Sequence, residues 1–333
     1  MIETDLTFLA HMKALRFDRT GSLDDLKIVD ASKPRAASGE ALVQIKAAAI
    51  NPSDVKNVLG KMHETTVPRI PGRDFAGIVV EGPPEWIDRK VFGSGGGLGF
   101  GRDGTHAEFT AVSVTGLNPL PKNLSFEQAA AMGVAYMTAW SAVMTTAKIQ
   151  PRETILITGT TGAVGGAAAK IARKQGAHVI GTSRHAADIP GLSDPAVEHW
   201  VGLDAGDLST SIHALTQGRG VDIVFDVIGG AMFEPCLKSL AARGRHIAIA
   251  SNPDPRVSFN LVDFYHRELR LFGVDSLKIG FEESASILSG LTPGIEDGTF
   301  PPPAIKTCGF SDAIKAYHLV NEGKAREKQI LVL

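Results

Sequence analysis

The pattern of hydrophobic and polar residues changes along the chain. In its first third, short apolar or alternating runs such as MKALRF (12–17), ALVQIKAAAI (41–50) and AGIVVEG (76–82) are bounded by segments rich in proline and glycine. Runs of this kind predict short β-strands joined by turns. The first long helical pattern is LSFEQAAAMGVAYMTAWSAVMTTA (124–147), for which Ser125 is the predicted N-cap. The chain is therefore predicted to begin with a β-rich domain.

The middle of the chain alternates apolar runs with helical stretches. The strand-like runs are ETILITG, AHVIGTS, VDIVFDVIG, GRHIAIAS and RLFGVDS, and helical or loop stretches such as AAAKIARKQG lie between them. Because the runs are almost continuously apolar, they predict strands that are covered on both faces. Their alternation indicates right-handed βαβ units around a parallel sheet. The remaining part, 275–333, is mixed and ends in QILVL, which we expect to return as a strand to the first domain.

Composition and charge narrow the class of protein. The 333 residues suffice for two domains with separate cores, and the formal net charge of −2 comes without any clustered basic run. We therefore expect no binding to nucleic acid. No apolar run reaches the length of a membrane span, and the amino-terminal MIETDLTFLAH lacks the basic residues of a signal peptide. Because Cys236 and Cys308 cannot form a disulfide framework, we expect a cytoplasmic protein without a membrane partner.

The stretch ILITGTTGAVGGAAAKIARKQGAHVIGTSR carries the most specific chemistry. A strand leads into three glycines at a G-x-x-G-x-x-G spacing, a helix follows, and a second strand ends at Arg184. Small residues at such a turn let the backbone approach a pyrophosphate at the helix N-terminus. The alternative is a tight turn without a ligand. We predict a dinucleotide site formed by Gly159, Thr161, Gly162, Ala163, Val164 and Gly165.

The end of the second strand selects between the two nicotinamide dinucleotides. NAD sites carry an Asp or Glu there that binds the ribose hydroxyls, whereas an arginine attracts the 2′-phosphate of NADP. This sequence has Ser183 and Arg184 and no acid before Asp188. NADPH is therefore the predicted cofactor. In the alternative interpretation, Arg184 is only a solvated surface residue.

Further motifs lie on either side of the glycine loop. They are AAAINPSDVK (47–56), PGRDFAG (71–77), GTHAEF (104–109), GVAYMTAW (133–140), GVDIVFDVIGG, GRHIAIAS and KQILVL. In this order they make the chain similar, over nearly its whole length, to the zinc-independent quinone oxidoreductase branch of the medium-chain dehydrogenase/reductase superfamily, which includes zeta-crystallin. The resemblance implies an α/β protein with a GroES-like, partly open β-barrel catalytic domain (1–132 and 273–333) and a Rossmann NADP-binding domain with a doubly wound parallel sheet (133–272). It also implies a homodimer, commonly formed by pairing of Rossmann sheet edges.

The resemblance raises the question of a metal ion. Zinc enzymes of the superfamily use an early cysteine and a Gly-His-Glu element, where this chain has Asn51-Pro52-Ser53-Asp54 and Arg73-Asp74. A structural zinc needs four clustered cysteines, and the chain contains only two. We therefore expect no metal. The residues Arg73-Asp74 are interpreted as a structural pair, and a direct catalytic role of Asp74 is the alternative.

Four residues are candidates for catalysis. In INPSDVK, Asn51 is expected to hydrogen-bond the nicotinamide ribose or the substrate, and Lys56 to pair with a developing oxyanion or with the cofactor. The alternative for Lys56 is a surface lysine whose stem covers apolar surface. Asp54 either orients these two residues or caps a helix that starts at Ser53. Tyr136 either donates a proton or packs, and packing is favoured.

The resemblance also implies cofactor contacts outside the glycine loop. Thr138 is expected beside the nicotinamide carboxamide, and Val227 and Ser251 are expected near the carboxyl ends of the Rossmann strands, where open α/β sheets bind ligands. Several relatives have a tyrosine near the end of the third strand, but the corresponding stretch HWVGLD offers Leu203 or Asp204. Contacts on the adenosine side are therefore expected to differ.

Together these features predict an NADPH-dependent oxidoreductase that reduces quinones or α,β-unsaturated carbonyls by hydride transfer without a metal. An enoyl-thioester reductase is the alternative among enzymes, and a non-catalytic NADPH-binding protein is the alternative of another class. The glycine-rich stretch GSGGGLGFGRDG (93–104) is predicted to be a flexible hairpin, which could act as a mobile flap.

Overall fold

The structure, a computed structural model, describes residues 11–251 and 254–333. The chain divides into two compact units. The first comprises Leu277–Leu333 together with the described part of Met1–Met137, and the second comprises Thr138–Ser276. The first unit is built on a mostly antiparallel sheet and the second on a parallel sheet, so the predicted α/β class is confirmed. None of the helices in the described ranges has the length and apolar character that crossing a membrane requires.

The first unit contains a seven-stranded sheet and a separate strand pair. Its strands are β1 (His11–Arg16), β2 (Lys27–Ser32), β3 (Glu40–Ala49), β4 (Phe75–Glu81), β5 (Lys90–Gly93), β6 (Phe109–Ser113), β7 (Asn118–Pro119), β14 (Ile305–Gly309) and β15 (Lys328–Val332). β1 pairs with β2, and the others follow the order β14-β15-β3-β4-β5-β7, with β6 paired to β3. Because β15 pairs antiparallel with β3, the prediction that QILVL returns to the first domain is confirmed.

The centre of this sheet is formed by β3 and β4. Their apolar positions, including Val43, Ile45 and Val79, are buried in one hydrophobic cluster, as the alternating sequence predicts. A Cβ atom at Gly77 of β4 would lie 2.1 Å from the carbonyl oxygen of Gln44. Only glycine therefore permits this close approach of the two strands.

Four helices lie wholly or mainly in the first unit. They are α1 (Pro52–Val58), α2 (Phe126–Trp140), α7 (Phe281–Glu296) and α8 (Ala313–Asn321). At the start of α2 the backbone N–H of Gln128 donates to Ser125 Oγ (3.3 Å), and Ser125 N donates to Gln128 Oε1 (3.0 Å). This reciprocal pair is a capping box, so the predicted N-cap is confirmed. The helical turns continue beyond α2 as a π-helix, Ser141–Thr146.

The second unit contains a six-stranded parallel sheet. Its strands are β8 (Thr154–Ile157), β9 (His178–Ser183), β10 (His199–Gly202), β11 (Val221–Asp226), β12 (Leu240–Ala248) and β13 (Arg270–Gly273), and its helices are α3 (Ala163–Lys174), α4 (Leu208–Leu215), α5 (Phe233–Lys238) and α6 (Leu261–His266). The strand order is β10-β9-β8-β11-β12-β13. Counted from β8 this is 3-2-1-4-5-6, the order of doubly wound dinucleotide-binding domains. The central strand β8 is fully buried from Ile155 to Ile157, which explains its continuous apolar run.

The glycine-rich stretch of the first unit differs from its prediction. It is not a flexible hairpin, because Leu98 and Phe100 are each only 1% exposed and Gly99 N donates to Arg102 O (2.9 Å). Gly99 has a φ of +80°, and a Cβ there would lie 2.8 Å from the backbone nitrogen and oxygen of Gly72. These glycines permit close backbone packing, and the idea of a mobile flap has no support in this arrangement.

Candidate active site

The glycine loop between β8 and α3 has the shape of a phosphate-binding turn. Gly159 has a φ of +61°, and a Cβ there would lie 2.6 Å from Val227 Cγ2. A Cβ at Gly165 would lie 2.4 Å from Gly159 O. Gly162, in an extended conformation, is the N-cap of α3, whose first N–H groups have no acceptor within the helix. Backbone without side chains at a helix N-terminus fits a dinucleotide pyrophosphate.

Two buried threonines hold this loop against the end of β9. Thr160 Oγ1 donates to Ile157 O (2.6 Å) and accepts from Thr182 N (3.0 Å). Thr182 Oγ1 in turn accepts from Gly159 N (3.1 Å). The prediction named only the neighbouring Thr161, which is exposed. The sequence contains a signal for this contact, because one threonine lies within the glycine loop and another lies near the end of the following strand.

The end of β9 carries a polar residue and a cation. Ser183 is the last residue of the strand and is only 3% exposed. Arg184 follows it and is exposed. Arg184 forms neither an ion pair nor a hydrogen bond with any residue that the structure describes. Its guanidinium is therefore available to an anion at this end of the sheet.

The segment after β10 brings an acid close to the end of β9. Leu203 N donates to Ser183 O (2.9 Å), whereas the carboxylate of Asp204 accepts from His185 Nδ1 (3.0 Å) and from Ala186 N (2.7 Å). The bond from Ala186 N and that from His185 lower the pKa of Asp204. The carboxylate is thus engaged with the two residues that follow Arg184.

Of the other predicted cofactor residues, Val227 and Ser251 lie at loops of the second unit, and Thr138 lies in α2. Val227 contacts Gly159, as described above, and Ser251 Oγ accepts from Gly230 N (3.2 Å), which joins the loops that follow β11 and β12. Thr138 is 4% exposed, and its hydroxyl has no hydrogen-bond partner within 11–251 and 254–333. A buried hydroxyl without a partner suits a polar group of a ligand.

The predicted catalytic residues Asn51 and Asp54 share one capping arrangement. The helix α1 begins at Pro52 with Asn51 as its N-cap, and Asn51 N donates to Asp54 Oδ2 (2.7 Å). Asp54 therefore does cap this helix, as the alternative interpretation predicts, but it does so from the third helical position through a capping box, and the helix starts at Pro52 rather than at Ser53. The amide of Asn51 also donates to Asp74 Oδ2 (3.0 Å).

Asp74 is a buried junction of the first unit. Its carboxylate accepts from Val134 N (2.8 Å), and its ion-pair partner is Lys328, whose Nζ lies 3.2 Å from Oδ2. Lys328 also donates to Ala131 O (3.1 Å). Asp74 thus ties backbone segments together, as predicted, but the expected pairing with Arg73 is corrected, because the cation that neutralises Asp74 comes from β15.

Burial shifts the pKa of two predicted catalytic groups. For Asp54, which is fully buried, burial raises the pKa to about 7, although the hydrogen bond from Asn51 N and the charge of Arg73 oppose the shift. Asp54 Oδ1 has no hydrogen-bond partner among the described residues. Lys56 is half-buried, and burial together with the charge of Lys61 lowers its pKa. This partial burial is compatible with the predicted catalytic role and with the alternative of a surface lysine whose stem covers apolar surface.

Tyr136 is part of the core of the first unit. It is 1% exposed, its hydroxyl donates to Pro301 O (2.7 Å), and its ring contacts Phe300 edge to face at 6.0 Å. A hydroxyl that donates to a protein carbonyl supports the packing interpretation rather than proton donation.

The prediction did not include His106 in the site, and the structure places it in the same buried region. Its Nε2 lies 3.1 Å from Ala49 O and its Nδ1 lies 2.8 Å from the hydroxyl of Tyr317. Because a carbonyl only accepts, Nε2 carries the proton and Nδ1 accepts from Tyr317. Burial lowers the pKa of His106 to about 4, so the imidazole is neutral at physiological pH.

The donor groups of this region do not fit a zinc ion. Arg73 brings a positive charge, the amide of Asn51 is bound to Asp74, and both ring nitrogens of His106 have protein partners. Within the described part of the chain, no three His, Cys, Asp or Glu side chains are grouped so as to hold a metal ion.

Comparison with known proteins decides the family. A model described as zinc-binding dehydrogenase matches residues 163–289, and a model described as alcohol dehydrogenase GroES-like domain matches residues 37–122. A zinc-type alcohol dehydrogenase-like protein of Schizosaccharomyces pombe is 34% identical over 297 residues, which are 87% of this chain and 86% of that protein. The chain belongs to the medium-chain dehydrogenase/reductase family. Membership in this dehydrogenase family, together with the nucleotide-binding fold, implies a nicotinamide cofactor.

Three further relatives extend the comparison. A quinone oxidoreductase-like protein 2 homolog of Nematostella vectensis is 30% identical over 69% of this chain and 64% of that protein. A mycocerosic acid synthase-like polyketide synthase of Mycobacterium tuberculosis is 30% identical over 99% of this chain, which spans only 16% of that much longer protein. An alcohol dehydrogenase superfamily protein from Novosphingobium aromaticivorans has the same fold, with a TM-score of 0.86, 27% identity, and coverage of 97% of this chain and 99% of that one.

Proposed function

We propose that this protein is an NADPH-dependent reductase of quinones or α,β-unsaturated carbonyl compounds that works without a metal ion. The observation that carries the choice of NADPH is the end of β9. Arg184 is exposed and without a partner among the described residues, and the carboxylate of Asp204, in the segment after β10, is engaged with His185. An available guanidinium there attracts the 2′-phosphate that distinguishes NADPH from NADH.

The proposal of a reaction without a metal rests on the donor set of the first unit. The positions that correspond to zinc ligands in the family's zinc enzymes hold Asn51 and the Arg73-Asp74 pair, and their polar groups bind other protein groups. Asn51, Asp74 and Lys328 form an internally neutralised cluster. Such a cluster supplies structure and electrostatics rather than metal coordination.

When bound, the cofactor supplies the hydride, and the protein supplies binding, orientation and charge. Reduction of a quinone or an enone builds negative charge on a carbonyl oxygen, which a nearby cation stabilises. We assign this role to Lys56, which lies on α1. The N-cap residue of this helix, Asn51, is held by a hydrogen bond to Asp74. The lowered pKa of Lys56 also makes Nζ a better proton donor than an ordinary lysine.

The support for quinones as substrates is the similarity to the quinone oxidoreductase-like homolog of Nematostella vectensis. The similarity to a segment of a polyketide synthase favours the second candidate, an enoyl-thioester reductase. Both reactions use a hydride and an oxyanion-stabilising group, so Lys56 serves either.

The experiment is a substrate panel followed by the loss of nicotinamide absorbance. Matched quinones, enones and enoyl-CoA thioesters are compared with NADPH and with NADH. Turnover of quinones or enones with a preference for NADPH is the expected result. Turnover confined to enoyl thioesters would select the second candidate, and a preference for NADH would refute the role given to Arg184. NADPH binding without turnover of any substrate would favour a non-catalytic protein.

A homodimer belongs to the same proposal. β13 is one of the two edge strands of the parallel sheet, and an edge strand offers unpaired backbone groups to a symmetric partner. Large apolar side chains on β13 and on the preceding α6 are exposed, namely Leu271, Leu261, Val262 and Tyr265. Light scattering should give the mass of two chains, and the mass of one chain at micromolar concentration would refute the dimer.

A further inference from the structure

We propose that Asp226 is a positioning residue for dinucleotide binding, because its carboxylate holds together the two loops that carry Gly159 and Val227. Asp226 is the last residue of β11 and is fully buried. It lies at the carboxyl ends of the strands, where open α/β sheets bind their ligands. It does not itself reach the surface, so its effect must pass through the residues that it binds.

One oxygen of Asp226 makes the connection. Oδ1 accepts from Thr158 Oγ1 (2.8 Å), Ile228 N (3.0 Å) and Gly229 N (3.0 Å). The same Thr158 hydroxyl accepts from Val227 N (2.9 Å). Thr158 directly precedes the first glycine of the loop after β8, whereas the three backbone donors belong to the loop after β11. The two loops are therefore joined through a single carboxylate oxygen and a single hydroxyl.

The two loops have little freedom to adjust if this connection is lost. A Cβ atom at Gly159 would lie only 2.6 Å from Val227 Cγ2, and Gly159 has a positive φ of +61°. Gly229 has a φ of +67°, and a Cβ there would lie 2.1 Å from Ala250 O. Because the backbones pack this closely, a shift of the loop after β11 moves the turn that approaches the pyrophosphate.

The surroundings of Asp226 favour the charged form of its carboxylate. Burial acts to raise the pKa of Asp226, but the imidazole of His246, whose Nε2 lies 3.4 Å from Oδ2, and the N–H groups of Gly229 and Ile228 outweigh burial and lower the pKa. An ionised acceptor makes stronger hydrogen bonds than a neutral one. Asparagine at this position would keep the shape and lose the charge-assisted bonds.

The same strand contains a matched control. Asp222, near the start of β11, accepts from Thr154 N (2.8 Å), the first residue of β8, and pairs with Arg219 (Nη1 to Oδ1, 2.7 Å). Asp222 and Asp226 thus link the same two strands, Asp222 at their amino ends and Asp226 at their carboxyl ends. A change that only loosens the pairing of β8 and β11 would affect both positions, but only Asp226 bonds to the loops proposed to hold the cofactor.

The test compares D226N, T158V, T158S and D222N in the full-length protein. The Kd of NADPH is measured by fluorescence titration, and Tm is measured on the same samples without cofactor. D226N and T158V should each raise the Kd about 10-fold, the size of one lost charge-assisted hydrogen bond. T158S keeps the hydroxyl and should stay within about 2-fold of wild type, and D222N should lower Tm but leave the Kd within about 2-fold.

Other results would overturn the proposal. They are an unchanged Kd in T158V, or a D222N variant that loses as much affinity as D226N. If D226N does not fold, the difference in Kd between T158V and T158S decides alone. The role of Asp226 rests on the proposed function only in that NADPH is the ligand used in the titration. If wild type binds NADH and not NADPH, the NADPH proposal fails and the same series with NADH still tests Asp226. If wild type binds neither dinucleotide, both proposals are refuted.

Discussion

The substitution D54N tests whether the buried acid beside Asn51 behaves as its surroundings indicate. Asp54 is fully buried, its Oδ2 accepts from Asn51 N, and its Oδ1 has no partner among the residues described. Burial raises its pKa from 3.8 to about 7. Asparagine has nearly the same size and keeps an oxygen that can accept from Asn51 N, so the substitution removes the charge and little else.

The direction and the size of the effect follow from linkage. Between the two pKa values the folded protein holds a proton that the unfolded chain has released, so the free energy of unfolding falls as the pH rises from 3.8 to about 7. A shift of roughly 3 units corresponds to about 4 kcal/mol as an upper limit. His106 acts in the opposite direction, because burial lowers its pKa from 6.5 to about 4 and the stability it contributes rises with pH over that interval. The wild-type curve therefore mixes two opposed slopes.

The difference in the free energy of unfolding between wild type and D54N isolates the contribution of Asp54. Urea denaturation of both proteins at several pH values should show D54N gaining about 2–3 kcal/mol relative to wild type between about pH 5 and about pH 8. The gain should level off above the raised pKa, where Asp54 is ionised in both states. A difference that stays constant over this range would refute the reasoning, since it would mean that the folded and unfolded states release this proton at the same pH.

Three further substitutions test the rest of the site. H106Q should abolish the part of the stability that rises between about pH 4 and pH 6.5, and a denaturation series with the wild-type slope would contradict a neutral buried imidazole. R184Q should raise the Kd of NADPH about 10-fold through loss of a charge-assisted contact and leave the Kd of NADH unchanged, and equal losses for both dinucleotides would count against a 2′-phosphate contact. K56M should lower kcat about 100-fold, whereas K27M, which changes an exposed lysine of β2, should keep it near the wild-type value. Equal kcat values in the two variants would remove Lys56 from the reaction.

The second unit follows from the sequence because its signals are local. Its central strands are continuous apolar runs, and its glycine loop needs residues without side chains at fixed spacing, as the close approach of Gly165 to Gly159 O shows. Both signals lie within a few residues of the feature they predict. The NADPH prediction has the same local basis, since Ser183 and Arg184 are adjacent to the end of a recognisable strand.

The polar cluster of the first unit depends on contacts between distant residues. Lys328 and Asp74 are 254 positions apart, and His106 and Tyr317 are 211 apart. No periodicity or spacing indicates such pairs, so the prediction assigned Asp74 to its neighbour Arg73 and left His106 out. The glycine-rich stretch failed for a related reason: Gly99 packs against the backbone of Gly72, and composition alone does not separate glycines that permit packing from glycines that permit motion.

Because β15 follows the second unit in the sequence, the sheet of the first unit is completed only after the second unit has been synthesised. The ribosome completes β3 and all of Thr138–Ser276 before it reaches Lys328–Val332. Until then, one side of β3 lacks its partner at Ala47–Ala49, and Asp74 lacks the lysine that neutralises it. The second unit can therefore fold on the ribosome while β3 of the first unit still has an unpaired edge. An unpaired strand edge in a nascent chain can form incorrect pairs with other strands. The yield of folded protein in the cell should accordingly depend on whether this edge of β3 is shielded until β15 has been synthesised.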